Sequence, residues 1–148
     1  MNKDIYMDFS ATTYTRPEVV EEMLPYFTQK FGNPSSLYSI SDYTRDAIKA
    51  SREKVAKAIN ANTDEIFFTA GGSEGDNWAL KGVAFANRKK GNHIITTQIE
   101  HHAILHSGQF LEKNGFDVTY LPVDEEGFIR IEDLKNAITD KTILVSIM

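Results

Sequence analysis

The sequence predicts an α/β fold with a largely parallel sheet and flanking helices. From residue 66 onward, short stretches rich in β-favouring residues alternate with segments of helical spacing, and the connections between them are short. The 148 residues are enough for a hydrophobic core. We expect a single domain in which 1–62 forms an N-terminal arm and helices and 63–148 forms the βαβ part.

Composition narrows the functional classes. Sixteen basic and 21 acidic residues give a net charge of −5 without a basic stripe, so nucleic acid is not an expected partner. No apolar run approaches membrane-spanning length, and the start of the chain lacks a signal-peptide layout. The absence of cysteine excludes disulfides, thiolate metal sites and a cysteine nucleophile within these residues. We expect a cytoplasmic protein that binds no membrane.

The first part of the chain is expected to be mainly helical. An extended segment at 5–8 leads into a polar turn at 10–13, and Pro17 is suited to the first turn of a helix. A loop is predicted at 31–36. A long helix follows from near Asp42 to Asn60, with its charged side chains on a solvated face. The apolar residues of the first helix are Val19, Val20, Met23, Leu24 and Phe27.

From residue 66 to residue 148, the predicted elements alternate between strands and helices. The predicted strands lie at 66–69, 93–97, 118–121 and 142–148, with a short extended piece at 128–130. The predicted helices lie at 73–90, 102–114 and 132–138. Gly91 and Gly115 suit the ends of the first two helices. Residues 143–148 form the most core-like strand, which we expect to be central and buried on both faces. Because the sequence stops there, we expect it to be the first part of a longer protein.

A glycine turn at 71–72 separates the strand at 66–69 from its helix. Gly71 and Gly72 permit positive φ and close backbone approach, while Ser73 and Asp76 suit an N-cap and its capping-box-like partner. The free amides at such a helix start form a natural anion site. An ordinary capped turn explains the same residues. The pattern matches neither G-x-G-x-x-G nor G-x-x-x-x-G-K-[ST].

Histidines follow the strand at 93–97. His102 and His106 are four residues apart and would share a helix face, but a zinc site would need Glu100 or His101 and a further ligand. Alternatively, these are solvated residues at a helix start. A third interpretation is that His101 faces a planar ligand whose phosphate lies at Gly72 and Ser73. The residues alone leave all three interpretations open.

Four motifs in order carry a family resemblance. They are Asp8-x-x-Ala11-Thr12-Thr13, the loop Phe31-Gly32-Asn33-Pro34-Ser35-Ser36, the stretch Phe68-Thr69-x-Gly71-Gly72-Ser73-Glu74-Gly75-Asp76-Asn77, and Glu100-His101-x-Ala103. Together they resemble the cysteine desulfurases of the NifS/IscS type, which are class V, fold-type-I enzymes dependent on pyridoxal 5′-phosphate (PLP). The resemblance covers essentially the whole chain and implies an incomplete large domain of the fold-type-I PLP-dependent transferase fold.

The resemblance also implies roles for particular residues. Gly72 and Ser73 match the phosphate-binding pair. His101 matches the catalytic histidine that stacks on the cofactor ring and assists proton transfers. The resemblance implies a homodimer with active sites near its interface. It implies no metal ion. The turn near the substrate corresponds to Ala11, Thr12 and Thr13.

For the full-length parent, the implied reaction converts L-cysteine to L-alanine. The sulfur passes to an enzyme cysteine as a persulfide and then to an acceptor protein, for iron–sulfur cluster or thio-cofactor assembly. The Schiff-base lysine and that cysteine are expected after residue 148, so the isolated chain is predicted to be inactive. Lys81, Lys89 and Lys90 are expected to be helix-surface residues.

Three other functions stay open. One is a different class V PLP enzyme, such as an aminotransferase or a selenocysteine lyase. Another is a non-catalytic phosphate- or nucleotide-binding α/β module. The last is a truncated product that acts only as an interaction or folding partner of full-length subunits.

Overall fold

A computed structural model describes residues 5–148. The described chain falls into two compact units, residues 5–67 and Phe68–Met148. Residues 1–4, the start of the predicted arm, lie outside the described part. None of the helices in residues 5–148 combines the length and apolar character needed to span a bilayer.

Two helices form most of the first unit. Helix α1 spans Pro17–Thr28 and begins at the predicted proline, while α2 spans Asp42–Ala58 and ends two residues before the predicted boundary. Short 3-10 turns lie at Ser39–Ser41 and Thr63–Glu65. The apolar face predicted for α1 is exposed, with its five side chains between 41% and 69% accessible.

The loop at 31–36 is fixed to the start of α2 by hydrogen bonds. Arg45 Nη2 donates to the Ser36 carbonyl oxygen at 2.7 Å, and Thr44 Oγ1 donates to the Gly32 carbonyl oxygen at 2.6 Å. Gly32 lies so close to the Ile40 carbonyl that a Cβ atom would collide with it. Arg45 therefore anchors this loop while its side chain stays exposed, in agreement with the solvated face predicted for α2.

The second unit contains a three-stranded parallel sheet and three helices. The strand order is β2-β1-β3, and both pairings are parallel, which confirms the predicted α/β class. The elements in chain order are α3 (Gly72–Asn87), β1 (His93–Thr97), α4 (His102–Lys113), β2 (Asp117–Leu121), α5 (Ile131–Ala137) and β3 (Thr142–Val145).

Strand β1 is the centre of this unit. All five of its residues are buried, and Ile95 is in register with Thr119 on one side and Val145 on the other. Ile94 packs in a core supplied by α3, α4 and the residue before β2. The other buried members of this core are Leu80, Ala84, Ile104, Leu111 and Phe116.

Two predictions about strands were wrong. Residues 66–69 form no strand, because β1, β2 and β3 are the only paired strands in the described chain and none pairs with them. The short extended piece predicted at 128–130 agrees with the backbone of Arg130, which has φ −84° and ψ 128°. Strand β3 ends at Val145 and lies at an edge of the sheet, half-buried, so the central position predicted for it belongs to β1.

Candidate cofactor-binding site

The start of α3 presents three backbone amides without acceptors. Helix α3 begins at Gly72, and the first helical hydrogen bond runs from the Gly75 amide to the Gly71 carbonyl oxygen at 3.1 Å. Within residues 5–148, the amides of Gly72, Ser73 and Glu74 and the Ser73 hydroxyl have no hydrogen-bond partner. These groups are exposed, so the positive end of a 16-residue helix is open to an anion.

The local geometry of this turn differs from the predicted one. The N-cap is Gly71 rather than Ser73, and no side chain caps it, because Ser73 already lies inside the first helical turn. Gly71 is extended, with φ 170° and ψ 174°, so the predicted positive φ was wrong there; the left-handed glycines are Gly115 and Gly127. The Glu74 carboxylate, rather than Asp76, turns back and accepts a hydrogen bond from the Ala70 amide.

His101 is the N-cap of α4. Its Nδ1 accepts a hydrogen bond from the Ala103 amide at 3.1 Å, which is the usual capping interaction. A ring nitrogen that accepts carries no hydrogen, so the neutral imidazole has its proton on Nε2. The side chain is exposed. His101 thus presents a ring whose tautomer is set by the helix it caps.

A side-chain hydrogen bond joins α3 to α4 near the start of α3 and the N-cap residue His101. Ser107 Oγ lies 3.0 Å from Asn77 Oδ1, and Asn77 Nδ2 donates to the Ser73 carbonyl oxygen at 2.8 Å. Ser107 Oγ also lies 2.7 Å from the Ala103 carbonyl oxygen. Sequence reasoning missed Asn77 and Ser107, and their separation of 30 residues offers no local signal.

A buried carboxylate fixes the turn before α4. Glu100 is 8% exposed, and its Oε1 accepts hydrogen bonds from Thr97 Oγ1 at 2.9 Å and from the Met148 amide at 2.8 Å. This one residue therefore ties the end of β1 to the chain that follows β3. The position of the neighbouring His101 is thereby linked to the carboxyl edge of the sheet.

Lys81 lies one turn beyond Asn77 on α3. Its Nζ is 2.5 Å from Asn77 Oδ1 and 4.5 Å from the centre of the Phe110 ring. Lys81, predicted as a helix-surface residue, is half-buried and contacts the Asn77 amide and the Phe110 ring. Lys89 and Lys90 are exposed in the turn after α3.

A cavity opens beside α3 near the carboxyl end of β3. Its volume is about 330 Å³, and Asp76, Leu80, Ile104, Val145 and Ile147 are among the residues that line it. The carboxyl edge of a parallel sheet is where α/β folds bind ligands. The second unit therefore combines a concave surface and a helix start whose backbone amides are free hydrogen-bond donors within the described chain.

The predicted substrate-proximal residues lie in the first unit. Ala11, Thr12 and Thr13 are exposed and follow a turn in which the Ala11 amide donates to the Asp8 carbonyl oxygen at 3.1 Å. Tyr6 Oη donates to the Thr12 carbonyl oxygen at 3.1 Å. The turn is thus held by hydrogen bonds within its own segment.

The other histidines of α4 stack on each other. The rings of His102 and His106 have centroids 5.4 Å apart and planes 26° apart, as expected for residues four apart on a helix. Across residues 5–148, no group of three or more histidine and carboxylate side chains is arranged to hold a metal ion.

A family model described as "Aminotransferase class-V" matches residues 5–148. Relatives named "Cysteine desulfurase IscS" include one from Clostridium botulinum (strain Kyoto / Type A2), 74% identical over 148 residues, and one from Methanosarcina thermophila, 60% identical over 147 residues. The matches cover 100% and 99% of this chain but 37% and 36% of the relatives. The chain thus spans little more than a third of the length of these proteins.

Solved structures are similar over almost the whole chain. A structure described as "NIFS-LIKE PROTEIN" has a TM-score of 0.93 and 41% identity, with 97% of this chain and 40% of that one covered. A second, described as "SspA in complex with cysteine", has a TM-score of 0.90 and 39% identity, with 96% and 41% covered.

Proposed function

Because this chain belongs to the class-V aminotransferase family, we propose that it forms the phosphate-binding and ring-stacking part of a PLP-dependent cysteine desulfurase. The full-length enzyme converts L-cysteine to L-alanine in the cytoplasm, works as a homodimer, and passes sulfur through a persulfide to an acceptor protein for iron–sulfur cluster or thio-cofactor assembly. The names of these relatives, and the cysteine in the complex with SspA, support this proposal.

The start of α3 carries the proposal, because its donors fit a phosphate. The amides of Gly72, Ser73 and Glu74 lack acceptors among the described residues, and the Ser73 hydroxyl adds a fourth donor. A phosphate dianion accepts hydrogen bonds at several oxygens and is stabilised at the positive end of a helix. Gly72 and Ser73 would therefore hold the phosphate of PLP.

His101 is proposed to lie against the cofactor ring and to donate a hydrogen bond. Its Nδ1 is committed to the Ala103 amide, so Nε2–H is the group available to a ligand. A second ring proton would remove the acceptor that caps α4. The geometry of the cap therefore leaves Nε2–H as the ring group that meets the cofactor.

When bound, PLP supplies an electron sink for bond breaking at the substrate carbon. The residues of this chain hold and orient the cofactor, and the Ala11-Thr12-Thr13 turn is proposed to contribute to the substrate side of the site. The 148 residues contain no cysteine, so the thiol that accepts sulfur must be supplied by other residues of the full-length enzyme.

Binding of pyridoxine 5′-phosphate tests the proposal. This analogue has the ring and the phosphate but no aldehyde, so it does not react with surface lysines. We expect calorimetric titration to give tighter binding of pyridoxine 5′-phosphate than of pyridoxine or inorganic phosphate, and Ser73→Ala to weaken it about tenfold through loss of one charge-assisted hydrogen bond. Equal affinity for inorganic phosphate and the analogue would instead favour a general phosphate-binding module.

Turnover provides a second test. We expect the purified chain, supplied with PLP and L-cysteine, to release no alanine beyond that formed by free PLP. Alanine formation above this background would contradict the proposal that the Schiff-base lysine and the persulfide-forming cysteine lie in another part of the full-length enzyme.

A further inference from the structure

A buried hydroxyl lies between the two helices whose starts form the proposed site. Ser107, on α4, is only 1% exposed, and its Oγ reaches both Asn77 Oδ1 on α3 and the Ala103 carbonyl oxygen on α4. A buried polar group is costly unless it is hydrogen-bonded, so its two neighbours constrain where the helices lie. The hydroxyl has one hydrogen and therefore donates to one of these oxygens at a time.

The orientation of the Asn77 amide follows from its neighbours. Lys81 Nζ can only donate, so the atom of Asn77 that faces it at 2.5 Å must be the oxygen. The Ser73 carbonyl can only accept, so the atom that faces it at 2.8 Å must be the amide nitrogen. Asn77 Nδ2 is thus bonded to Ser73 in the proposed phosphate-binding turn, while Asn77 Oδ1 faces Ser107 on α4.

The contacts continue on α4 as far as His101. Ser107 bonds the carbonyl of Ala103, and the amide of the same Ala103 donates to His101 Nδ1. Polar contacts therefore run from Ser73 to the His101 ring through Asn77, Ser107 and Ala103, with the single Ser107 hydrogen serving one of the Asn77 and Ala103 oxygens at a time. A ligand whose phosphate lies on the start of α3 and whose ring lies against His101 needs a fixed distance between these two places. The contact between Asn77 on α3 and Ser107 on α4 is a direct polar link between the two helices and constrains this distance.

We propose that Asn77 and Ser107 are positioning residues that hold His101 at the distance from the phosphate-binding turn that PLP requires. This inference rests on the proposed function. Neither residue has to touch the cofactor. Ser107 makes no hydrogen bond to the turn itself, so its effect on binding passes through Asn77 and His101.

The test compares affinities of the 148-residue chain for pyridoxine 5′-phosphate and for inorganic phosphate. We expect Ser107→Ala and Asn77→Asp each to weaken pyridoxine 5′-phosphate binding about fivefold, the effect of one hydrogen bond. Ser107→Ala should leave inorganic phosphate binding unchanged. Asn87→Asp is the matched control, because Asn87 Nδ2 donates to the Val83 carbonyl oxygen four residues earlier on the same helix and, among residues 5–148, makes no hydrogen bond to α4.

A double-mutant cycle separates positioning from general stability. His101→Asn keeps a side chain that can cap α4 but removes the ring, so Ser107→Ala should have no further effect in that background. Circular dichroism melting checks that each variant folds. If Ser107→Ala does not fold, Ser107→Cys, which is nearly isosteric and a weak donor, takes its place.

Two results would overturn the inference without touching the proposed function. One is pyridoxine 5′-phosphate binding in Ser107→Ala and Asn77→Asp as tight as in Asn87→Asp. The other is an effect of Ser107→Ala that persists in the His101→Asn background or extends equally to inorganic phosphate. If the unsubstituted chain binds pyridoxine 5′-phosphate no more tightly than pyridoxine or inorganic phosphate, the proposed function fails, and this inference fails with it.

Discussion

The buried carboxylate of Glu100 accepts a hydrogen bond from the Met148 amide at 2.8 Å, although the two residues are 48 positions apart. Thr97 Oγ1 donates to the same carboxylate oxygen. Glu100 directly precedes His101, the N-cap of α4. The two hydrogen bonds to Glu100 therefore connect the turn that carries His101 to the chain beyond β3.

We expect Glu100→Ala to lower the free energy of unfolding by about 1–3 kcal/mol, because it leaves the buried Thr97 hydroxyl and the Met148 amide without an acceptor. Glu100→Gln keeps one acceptor oxygen and should lose less. Hydrogen exchange of the Met148 amide should accelerate in Glu100→Ala. Glu53→Ala, at an exposed position on α2, serves as the control; unchanged Met148 exchange in Glu100→Ala would show that the contact is unimportant in solution.

The cap at His101 predicts opposite results for two substitutions. His101→Ala removes the acceptor for the Ala103 amide and should cost about 1 kcal/mol of unfolding free energy, whereas His101→Asn supplies a side chain that is preferred at N-caps and should cost little. Urea denaturation measures both. His106→Ala, an exposed position on the same helix, is the comparison, and equal losses in all three variants would argue against a capping role.

Glycines 91 and 72 should respond differently to alanine. A Cβ atom at Gly91 would collide with the Lys141 carbonyl, so Gly91→Ala forces the backbone apart and should cost about 1–3 kcal/mol. A Cβ at Gly72 meets nothing within 4 Å, and alanine favours the helix, so Gly72→Ala should leave stability unchanged or raise it by about 0.5–1 kcal/mol. Thermal unfolding distinguishes the two, and a reversed order would contradict the packing at Gly91.

Tyr120 predicts a dependence of stability on alkaline pH. Burial, followed by the nearby Glu112 carboxylate, raises the pKa of Tyr120 above its ordinary value of 10.0. The folded chain then keeps a proton that the unfolded chain loses, so this stabilisation is complete below the unfolded pKa and is lost as pH rises through the folded pKa. Urea unfolding from about pH 9 to 11 should show a flatter pH dependence in Tyr120→Phe. Identical slopes would contradict the shift, and Glu112→Gln should lower the pKa in a spectroscopic titration.

The sequence was sufficient for features that depend on neighbouring residues. The alternation of strands and helices located β1 at its exact bounds and α4 to within one residue, because both have strong local patterns. Residues 66–69 have strand-forming composition but no strand, since a strand also requires a partner. Contacts between distant residues gave no local pattern, and for this reason Arg45, Asn77 and Ser107 were missed as structural residues.

The strand order β2-β1-β3 has a consequence for how the protein is made. Strands β1 and β2 are joined by α4 alone and can pair early, whereas β3 is the last strand and pairs with β1 across 49 residues, as in the bond between His93 and Thr142. Pairings between distant segments form slowly because a long loop must close first. During synthesis on the ribosome, one edge of β1 therefore has no partner until residue 145 has left the exit tunnel, and this is the interval in which chaperone binding would protect the growing chain.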